Sequence, residues 1–171
     1  IGKAIGGGVP VGAFGVSAEL AERALAQADS DYEDVGGVGG TLAGNALSLA
    51  AARATLEFVL TDDAFEGMID RATRFVEGVN GALEQAGLKW TVSQLGARAE
   101  YRYADPPPRT GSESAAAADT ELDDYLHAFL ANRGVLITPF HNMALMCPQT
   151  TDEDVDRHTE AFTGAVKTLV G

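Results

Sequence analysis

The chain has 171 residues, of which 46% are hydrophobic and 22% charged. This length and composition are typical of a globular protein that can bury a sizeable core. With 12 basic and 25 acidic residues its net charge is −13, which disfavours binding to nucleic acid and to anionic membranes. The sequence contains no secretory signal pattern and no apolar run of membrane-spanning length, so we expect a cytoplasmic protein.

The first sixty residues predict mostly helix and loop. The order of elements is a short strand over 9–14, a helix from Ser17 to about Gln27, a loop over 28–40, and a helix from Thr41 to about Leu60. The last of these is rich in alanine and leucine at helical spacing, which predicts that it is largely buried.

The rest of the chain alternates helices with short strands. In order, we expect a helix from Thr61 to Gly87, strands over 90–93 and 97–103, a proline-rich loop over 105–118, a helix from Asp119 to Gly134, strands over 135–138 and 143–146, and a last helix capped by Thr151. The second strand alternates charged and uncharged side chains, so one of its faces is expected to be charged. The pattern indicates an α/β fold with a boundary near Thr61.

A lysine lies within a glycine-rich apolar run, Gly2-Lys3-Ala4-Ile5-Gly6-Gly7-Gly8-Val9-Pro10-Val11-Gly12-Ala13-Phe14-Gly15. The run gives Lys3 no neighbouring carboxylate. Desolvation without an ionic partner lowers the pKa of an amine toward the range in which it is a nucleophile. Composition alone equally fits a solvated lysine beside a glycine turn. The order of residues resembles the internal-aldimine segment of the class III (subgroup II) aminotransferases, a pyridoxal-phosphate family of fold type I that includes glutamate-1-semialdehyde aminomutase.

A second segment carries the same resemblance. Gly36-Gly37-Val38-Gly39-Gly40-Thr41-Leu42-Ala43-Gly44-Asn45 is similar to the family's Gly-Thr-x-x-Gly-Asn segment, at about the family's distance from the lysine. The resemblance implies that Gly40 and Thr41 hold the cofactor phosphate, usually that of the neighbouring subunit. A glycine-rich loop before a helix also gathers free N–H groups that suit a phosphate. Thr41 equally fits a plain N-cap.

The resemblance implies a role and an architecture for the whole chain. Lys3 would be the catalytic Schiff-base lysine, pyridoxal 5'-phosphate the cofactor, and a homodimer with shared active sites the assembly. Residues 1–60 would end the cofactor-binding large domain, and 61–171 would form the small C-terminal domain. The sequence looks like the C-terminal part of a family member, so we expect activity only together with the missing N-terminal half.

Two segments suggest substrate residues. Residues 133–146, with Gly96-Ala97-Arg98-Ala99-Glu100-Tyr101 upstream, are similar to β-amino-acid transaminases of the β-phenylalanine type, which implies amino transfer from an aromatic β-amino acid to a 2-oxo acid. A guanidinium matches a carboxylate, and Arg133 is the first candidate, Arg98 the second and Arg102 the third. His141 and Asn142 lie in the loop that reaches toward substrate in this superfamily.

Alternatives remain open for each of these residues and for the function. The arginines fit surface salt bridges, and His141 fits a structural hydrogen-bond role. A semialdehyde-type aminomutase or a non-catalytic dimerisation module would also explain the sequence. The glycine cluster lacks the preceding strand and following acid of a dinucleotide site.

Cysteine and histidine usage predicts no metal site. Cys147 is the single cysteine, so it permits no internal disulfide, and it is expected to be a small buried hydrophobe. The three histidines, at positions 127, 141 and 158, are isolated from it and from one another, which leaves no metal-ligand spacing.

Overall fold

The structure is a computed structural model that describes residues 1–27, 40 and 42–171. The described chain divides into two compact units, Ile1–Thr61 and Asp62–Gly171. This division lies next to the boundary expected near Thr61, and the assignment of the units to the large and small domains of the family stays a prediction. The loop expected over 28–39 and the expected roles of Thr41 lie outside the described residues.

The first unit holds a short 3-10 helix and two α-helices. The 3-10 helix is Lys3–Gly6, α1 is Ala18–Gln27 and α2 is Ala46–Phe58. The α1 helix is confirmed, and the Ser17 hydroxyl accepts a hydrogen bond from the Leu20 N–H as an N-cap does. The strand expected over 9–14 is wrong, since these residues are irregular.

The α2 helix differs from its expected form in start and in burial. It begins at Ala46, five residues after the expected start, because Asn45 is the N-cap and its side-chain oxygen accepts from the Ser48 N–H at 3.0 Å. Its large apolar side chains are exposed in this chain, Leu47 to 71% and Phe58 to 72%. Small residues at helical spacing predict that a helix packs closely against something. They do not show whether the covering segment belongs to this chain.

The second unit is a three-stranded antiparallel sheet packed against helices. The α3 helix is Asp62–Ala86, β1 is Thr91–Leu95, β2 is Arg98–Arg102, α4 is Gly111–Ala116, α5 is Thr120–Ala131, β3 is Met143–Leu145 and α6 is Asp152–Val170. The strand order is β1-β2-β3, with Glu100 opposite both Ser93 on β1 and Met143 on β3. This arrangement confirms the α/β class.

The core of this unit lies where α3, α5 and α6 meet β2. Burying a large apolar side chain stabilises a fold by about 1.5–3 kcal/mol, and α3 and α6 pack along each other. The fully buried large side chains are Phe75, Val79, Tyr101, Leu126, Leu130, Phe162 and Val166. The apolar stripe predicted for α3 is confirmed over most of its length, although Phe65 and Ile69 in its first two turns stay exposed.

Helix ends follow the predicted signals. Gly87 and Gly134 take left-handed φ angles of 67° and 77° just after α3 and α5, a conformation that glycine adopts without strain. The capping box of Thr151 and Asp154 at the start of α6 is confirmed. These ends set the length of each helix that packs on the sheet.

Two further expectations are wrong. Residues 105–118 contain the short helix α4, started by the Thr110 side chain. No strand forms over 135–138, although the Thr138 N–H donates to the Met143 carbonyl at 3.3 Å. The apolar run of residues 135–137 predicts a strand, but in the described part of the chain no neighbouring segment forms a regular hydrogen-bond ladder with it.

Candidate functional site

Lys3 stands at the start of the 3-10 helix in a conformation that is unusual for a side-chain-bearing residue. Its φ is 57°, whereas Gly2 before it is extended. The left-handed region costs a non-glycine residue about 1–2 kcal/mol, and such strain is most often kept at functional positions. The Lys3 side chain is exposed, so its amine can be reached by a small molecule.

Small residues around Lys3 bring backbone segments close together. Gly6 is buried, and a Cβ there would lie 2.5 Å from Cγ1 of Val11. Gly7 has a φ of 57°, and a Cβ there would lie 2.8 Å from the Thr55 hydroxyl. A side chain at either position would push the lysine turn off its support.

The α2 helix supplies that support through two buried polar residues seven positions apart. The Ser48 hydroxyl donates to the Pro10 carbonyl at 2.8 Å. The Thr55 hydroxyl lies against Gly7, on the side where a Cβ would stand. Both are buried, and they lie on one helix face because seven residues make two turns. Sequence reasoning missed both residues, and the signal that could have found them is two hydroxyl residues at this spacing in a helix rich in alanine and leucine.

Gly40 is the described part of the predicted phosphate loop. It is exposed with a φ of 80°, and its carbonyl accepts from the Ala43 N–H at 3.1 Å. A turn follows it, and Gly44 leads into the Asn45 cap of α2. The role of Gly40 in holding a phosphate stays a prediction.

The second unit gathers three of the candidate residues around an unexpected one. Glu100 lies on the predicted charged face of β2, yet its side chain is only 7% exposed. Its Oε2 accepts a hydrogen bond from Arg98 Nη2 at 2.8 Å, and Arg102 Nη2 lies 2.8 Å from Oε1. His141 Nδ1 is 3.6 Å from the same Oε1. We call Arg98, Glu100, Arg102 and His141 the Glu100 cluster.

The Glu100 cluster carries more positive than negative charge. One buried carboxylate needs one cation to compensate it, and here two guanidiniums share it. The approach of Arg102 to Oε1 is an ion pair without hydrogen-bond geometry, so Oε1 has no hydrogen-bond partner among the described residues. Sequence reasoning missed Glu100, although strand alternation already placed it between Arg98 and Arg102.

Asn142 belongs to a buried polar network. Its Nδ2 donates to the Tyr103 hydroxyl at 2.9 Å and to Asp123 Oδ1 at 2.7 Å, while Tyr103 donates to the same carboxylate. Burial, followed by the hydrogen bond to Asp123, raises the pKa of Tyr103. These bonds tie the 138–143 loop to α5, and a substrate contact of Asn142 stays a prediction.

Arg133 lies apart from that cluster at the end of α5. Its guanidinium carbon is 3.4 Å from the centre of the Phe129 ring, and Nη1 donates to the Phe129 carbonyl at 3.1 Å. The side chain is exposed, and both of these contacts are to Phe129 of its own helix. Its role as the first-choice carboxylate ligand stays a prediction.

His158 is a buried ionisable group that sequence reasoning left aside. It is 4% exposed among Phe75, Tyr101 and Phe162, and neither ring nitrogen has a hydrogen-bond partner among the described residues. Burial lowers the pKa of His158 to about 3. The ring also lines a cavity of about 310 Å³ bounded by residues 134–138, β3 and the start of α6.

Cys147 corrects the expectation of a buried thiol. It is exposed in the turn before α6, and its sulfur accepts a hydrogen bond from the Thr150 hydroxyl at 3.4 Å. That bond lowers the pKa of Cys147. Cys147 is exposed because it lies in the turn between β3 and α6, closed by the Thr150 N–H donating to the Cys147 carbonyl at 3.0 Å, and in neither element.

No group of three or more His, Cys, Asp or Glu side chains is placed to hold a metal ion in the part of the chain that the structure describes. Among the same residues no helix is long and apolar enough to span a bilayer.

Comparison with known proteins decides the family. The family model described as "Aminotransferase class-III" matches residues 1–166. The chain belongs to the class III aminotransferases. The resemblance of the lysine and Gly-Thr-x-x-Gly-Asn segments to this family, and the fold type I expected from it, are thereby confirmed.

Three relatives illustrate the range of the family around this chain. Glutamate-1-semialdehyde 2,1-aminomutase 2 of Brevibacillus brevis is 32% identical over 98% of this chain and 38% of its own length. A variant glutamate-1-semialdehyde-aminomutase of Pseudomonas aeruginosa PAO1, solved in complex with PMP, is 42% identical with a TM-score of 0.90 and covers 98% of this chain and 38% of its own. A β-phenylalanine aminotransferase of Variovorax paradoxus is 26% identical with a TM-score of 0.80, over 98% and 37%. The chain thus spans about two fifths of these relatives.

Proposed function

We propose that this chain is the C-terminal part of a pyridoxal-phosphate enzyme that moves an amino group, with Lys3 as the residue that attaches the cofactor. The observation that carries the proposal is the exposed Lys3 amine, held in a left-handed turn by Gly6, Gly7 and α2. Family membership and the PMP in the Pseudomonas relative support the cofactor.

The residues around Lys3 fit a flat aromatic cofactor. Positions 2, 4 and 6–8 bear no side chain larger than a methyl group, so a ring can approach the amine without obstruction. When bound, pyridoxal phosphate supplies an electron sink that stabilises negative charge on a substrate carbon. The protein must supply orientation, exclusion of water and a movable proton.

Lys3 can carry that proton. A free Lys3 amine beside the reacting carbon would accept a proton there and return it elsewhere. The turn fixes the Lys3 backbone while the long side chain stays free to move. Gly40 and Thr41 would hold the phosphate through backbone N–H groups and the Thr41 hydroxyl.

Two substrates deserve a direct test. The greater identity and TM-score of the Pseudomonas relative favour a semialdehyde-type aminomutase, whereas the 139–146 segment and the Variovorax relative favour an aromatic β-amino acid with a 2-oxo acid acceptor. We place the aminomutase first. The missing N-terminal half completes the enzyme in either case, and a homodimer with shared sites is part of the proposal.

The test is a comparison of half-reactions on the full-length enzyme. Conversion of the lysine-linked cofactor to its amine form is followed by absorbance with glutamate-1-semialdehyde, β-phenylalanine and an ordinary α-amino acid. Lys3→Ala should lower turnover by several orders of magnitude, while Lys89→Ala, at an exposed lysine of the second unit, should leave it unchanged. Normal turnover by the Lys3 variant would refute the proposal, as would a non-catalytic full-length protein that never binds the cofactor.

A further inference from the structure

A cavity of about 310 Å³ lies within the second unit, between residues 134–138, β3 and the start of α6. Phe75, Val155 and His158 of its lining are buried, whereas Leu136 and Leu145 are exposed. The cavity is therefore closed at the first three side chains and opens to solvent at the two leucines. Because an apolar cavity of about 150 Å³ takes up benzene, this one has room for a larger organic molecule.

The cavity follows from the course of the backbone. The Thr138 N–H donates to the Met143 carbonyl at 3.3 Å, but in the described chain no backbone hydrogen bond joins residues 135–137 to Leu145. Residues 135–137 thus separate from β3, and side chains of α6 line the space left between them. This space is a gap between backbone segments, so a rotamer change of one side chain does not close it.

His158 supplies a polar group at the closed end of the cavity. The ring is 4% exposed, and neither ring nitrogen has a hydrogen-bond partner among the described residues. Its ring contacts are to Phe75, Tyr101 and Phe162, which hold the imidazole in place. Because a buried polar group without a partner is costly, a ligand that bonds to the imidazole gains affinity there.

The chemistry of the lining favours a neutral ligand with a hydroxyl group. Burial lowers the pKa of His158 to about 3, so at neutral pH the ring has no charge to pair with an ion, and one nitrogen donates while the other accepts. A hydroxyl both donates and accepts, so it can bond to either nitrogen. The charged residues of the lining have partners elsewhere, since Asp154 accepts from the Thr151 hydroxyl at 2.8 Å and Arg157 lies 3.6 Å from Glu153.

We propose that this cavity binds a small neutral molecule with an apolar body and one hydroxyl group, an alcohol or a phenol, whose hydroxyl bonds to the His158 imidazole. The apolar body lies against Val135, Ile137 and Val155, which line the cavity. The site lies wholly within the second unit and needs neither Lys3 nor a cofactor.

The test uses full-length protein and two probes of nearly the same shape, 4-ethylphenol and 4-ethyltoluene. They differ only in a hydroxyl that replaces a methyl group. A purely apolar cavity prefers the hydrocarbon, because a hydroxyl is costlier to remove from water than a methyl group. We expect calorimetry to show that 4-ethylphenol binds at least as tightly as 4-ethyltoluene. Tighter binding of the hydrocarbon would overturn the proposal.

A substitution of the histidine measures the contribution of its nitrogens. His158→Phe keeps an aromatic ring and removes both nitrogens, so it should weaken 4-ethylphenol binding about tenfold or more and change 4-ethyltoluene binding less than about threefold. The matched control His127→Phe, on α5 and outside the cavity lining, should leave both affinities unchanged. Equal affinity of wild type and His158→Phe for 4-ethylphenol, or an equal loss for both probes, would contradict the bond between hydroxyl and imidazole.

The methionine methyl groups locate the bound probe without any substitution. Met143 and Met146 line the cavity, whereas Met68 is buried on α3 outside its lining. In full-length protein labelled at the methionine methyl groups, NMR should show contacts from the ethyl group of 4-ethylphenol to Met143 or Met146 and none to Met68. Contacts to neither of the two lining methionines, or no binding by wild type at millimolar concentration, would show that the cavity is not a site for this class of ligand.

Discussion

The burial of His158 makes the stability of the second unit depend on pH in a calculable way. The folded state lowers the pKa of His158 from 6.5 to about 3, so between these values the unfolded chain binds a proton that the folded chain excludes. Stability from the neutral ring is therefore fully present above pH 6.5 and is lost as the pH falls toward 3. Each pH unit in that window is worth up to about 1.4 kcal/mol, and the loss between pH 7 and pH 5 is about 2 kcal/mol.

A His158→Phe variant isolates this contribution. Phenylalanine keeps an aromatic ring among Phe75, Tyr101 and Phe162 and has no proton to gain. Trp90, the single tryptophan, packs on Tyr103 in the same unit and reports its unfolding by fluorescence. Urea unfolding at pH 7, 6 and 5 should show the free energy of unfolding of wild type falling by about 2 kcal/mol more than that of the variant. A difference that does not change with pH, or a His158 resonance that titrates near pH 6.5 in the folded protein, would refute the reasoning.

Other substitutions test the packing and the phosphate loop. Gly78→Ala should destabilise the protein by about 1–3 kcal/mol, because its Cβ would lie 2.8 Å from Cγ2 of Thr159 on α6. Gly81→Ala, in open space on the same helix, should stabilise it by about 0.5–1 kcal/mol. Equal effects of the two substitutions on the free energy of urea unfolding would contradict the close approach of α3 and α6. Thr151→Ala should cost about 1 kcal/mol through loss of the α6 capping box, and an unchanged unfolding midpoint would argue against it. Thr41→Ala should weaken cofactor affinity of the full-length enzyme about tenfold by titration, and unchanged affinity would remove Thr41 from the phosphate site.

Local signals in the sequence predicted much of the second unit because its elements end and pack by local rules. The glycine stops of α3 and α5 and the Thr151 cap act through their own backbone. The strand predicted over 135–138 was wrong because a strand depends on a distant segment: it exists only where another segment pairs with it. The burial expected for α2 failed likewise, because sequence alone does not show what covers a helix.

The candidate site was predictable in its residue types and only partly in its geometry. The order of glycines around Lys3 identified the lysine, whereas its left-handed conformation and its support by Ser48 and Thr55 required coordinates. Arg98 and His141 were candidates taken singly, and the structure brings both to Glu100. Alternation places Glu100 on the charged face of β2 but does not show that its carboxylate is buried, or that His141, about forty residues further along the chain, lies 3.6 Å from it.

The central claim is that Lys3 attaches the cofactor, and covalent mapping tests it most directly. The full-length enzyme is reduced with borohydride in the presence of pyridoxal phosphate, digested, and its peptides are weighed by mass spectrometry. We expect a phosphopyridoxyl mass on the peptide that contains Lys3, with none on Lys89 or Lys167, the other two lysines of this chain. A stoichiometric label on either of those lysines or on a lysine of the upstream half, with Lys3 unmodified, would contradict it.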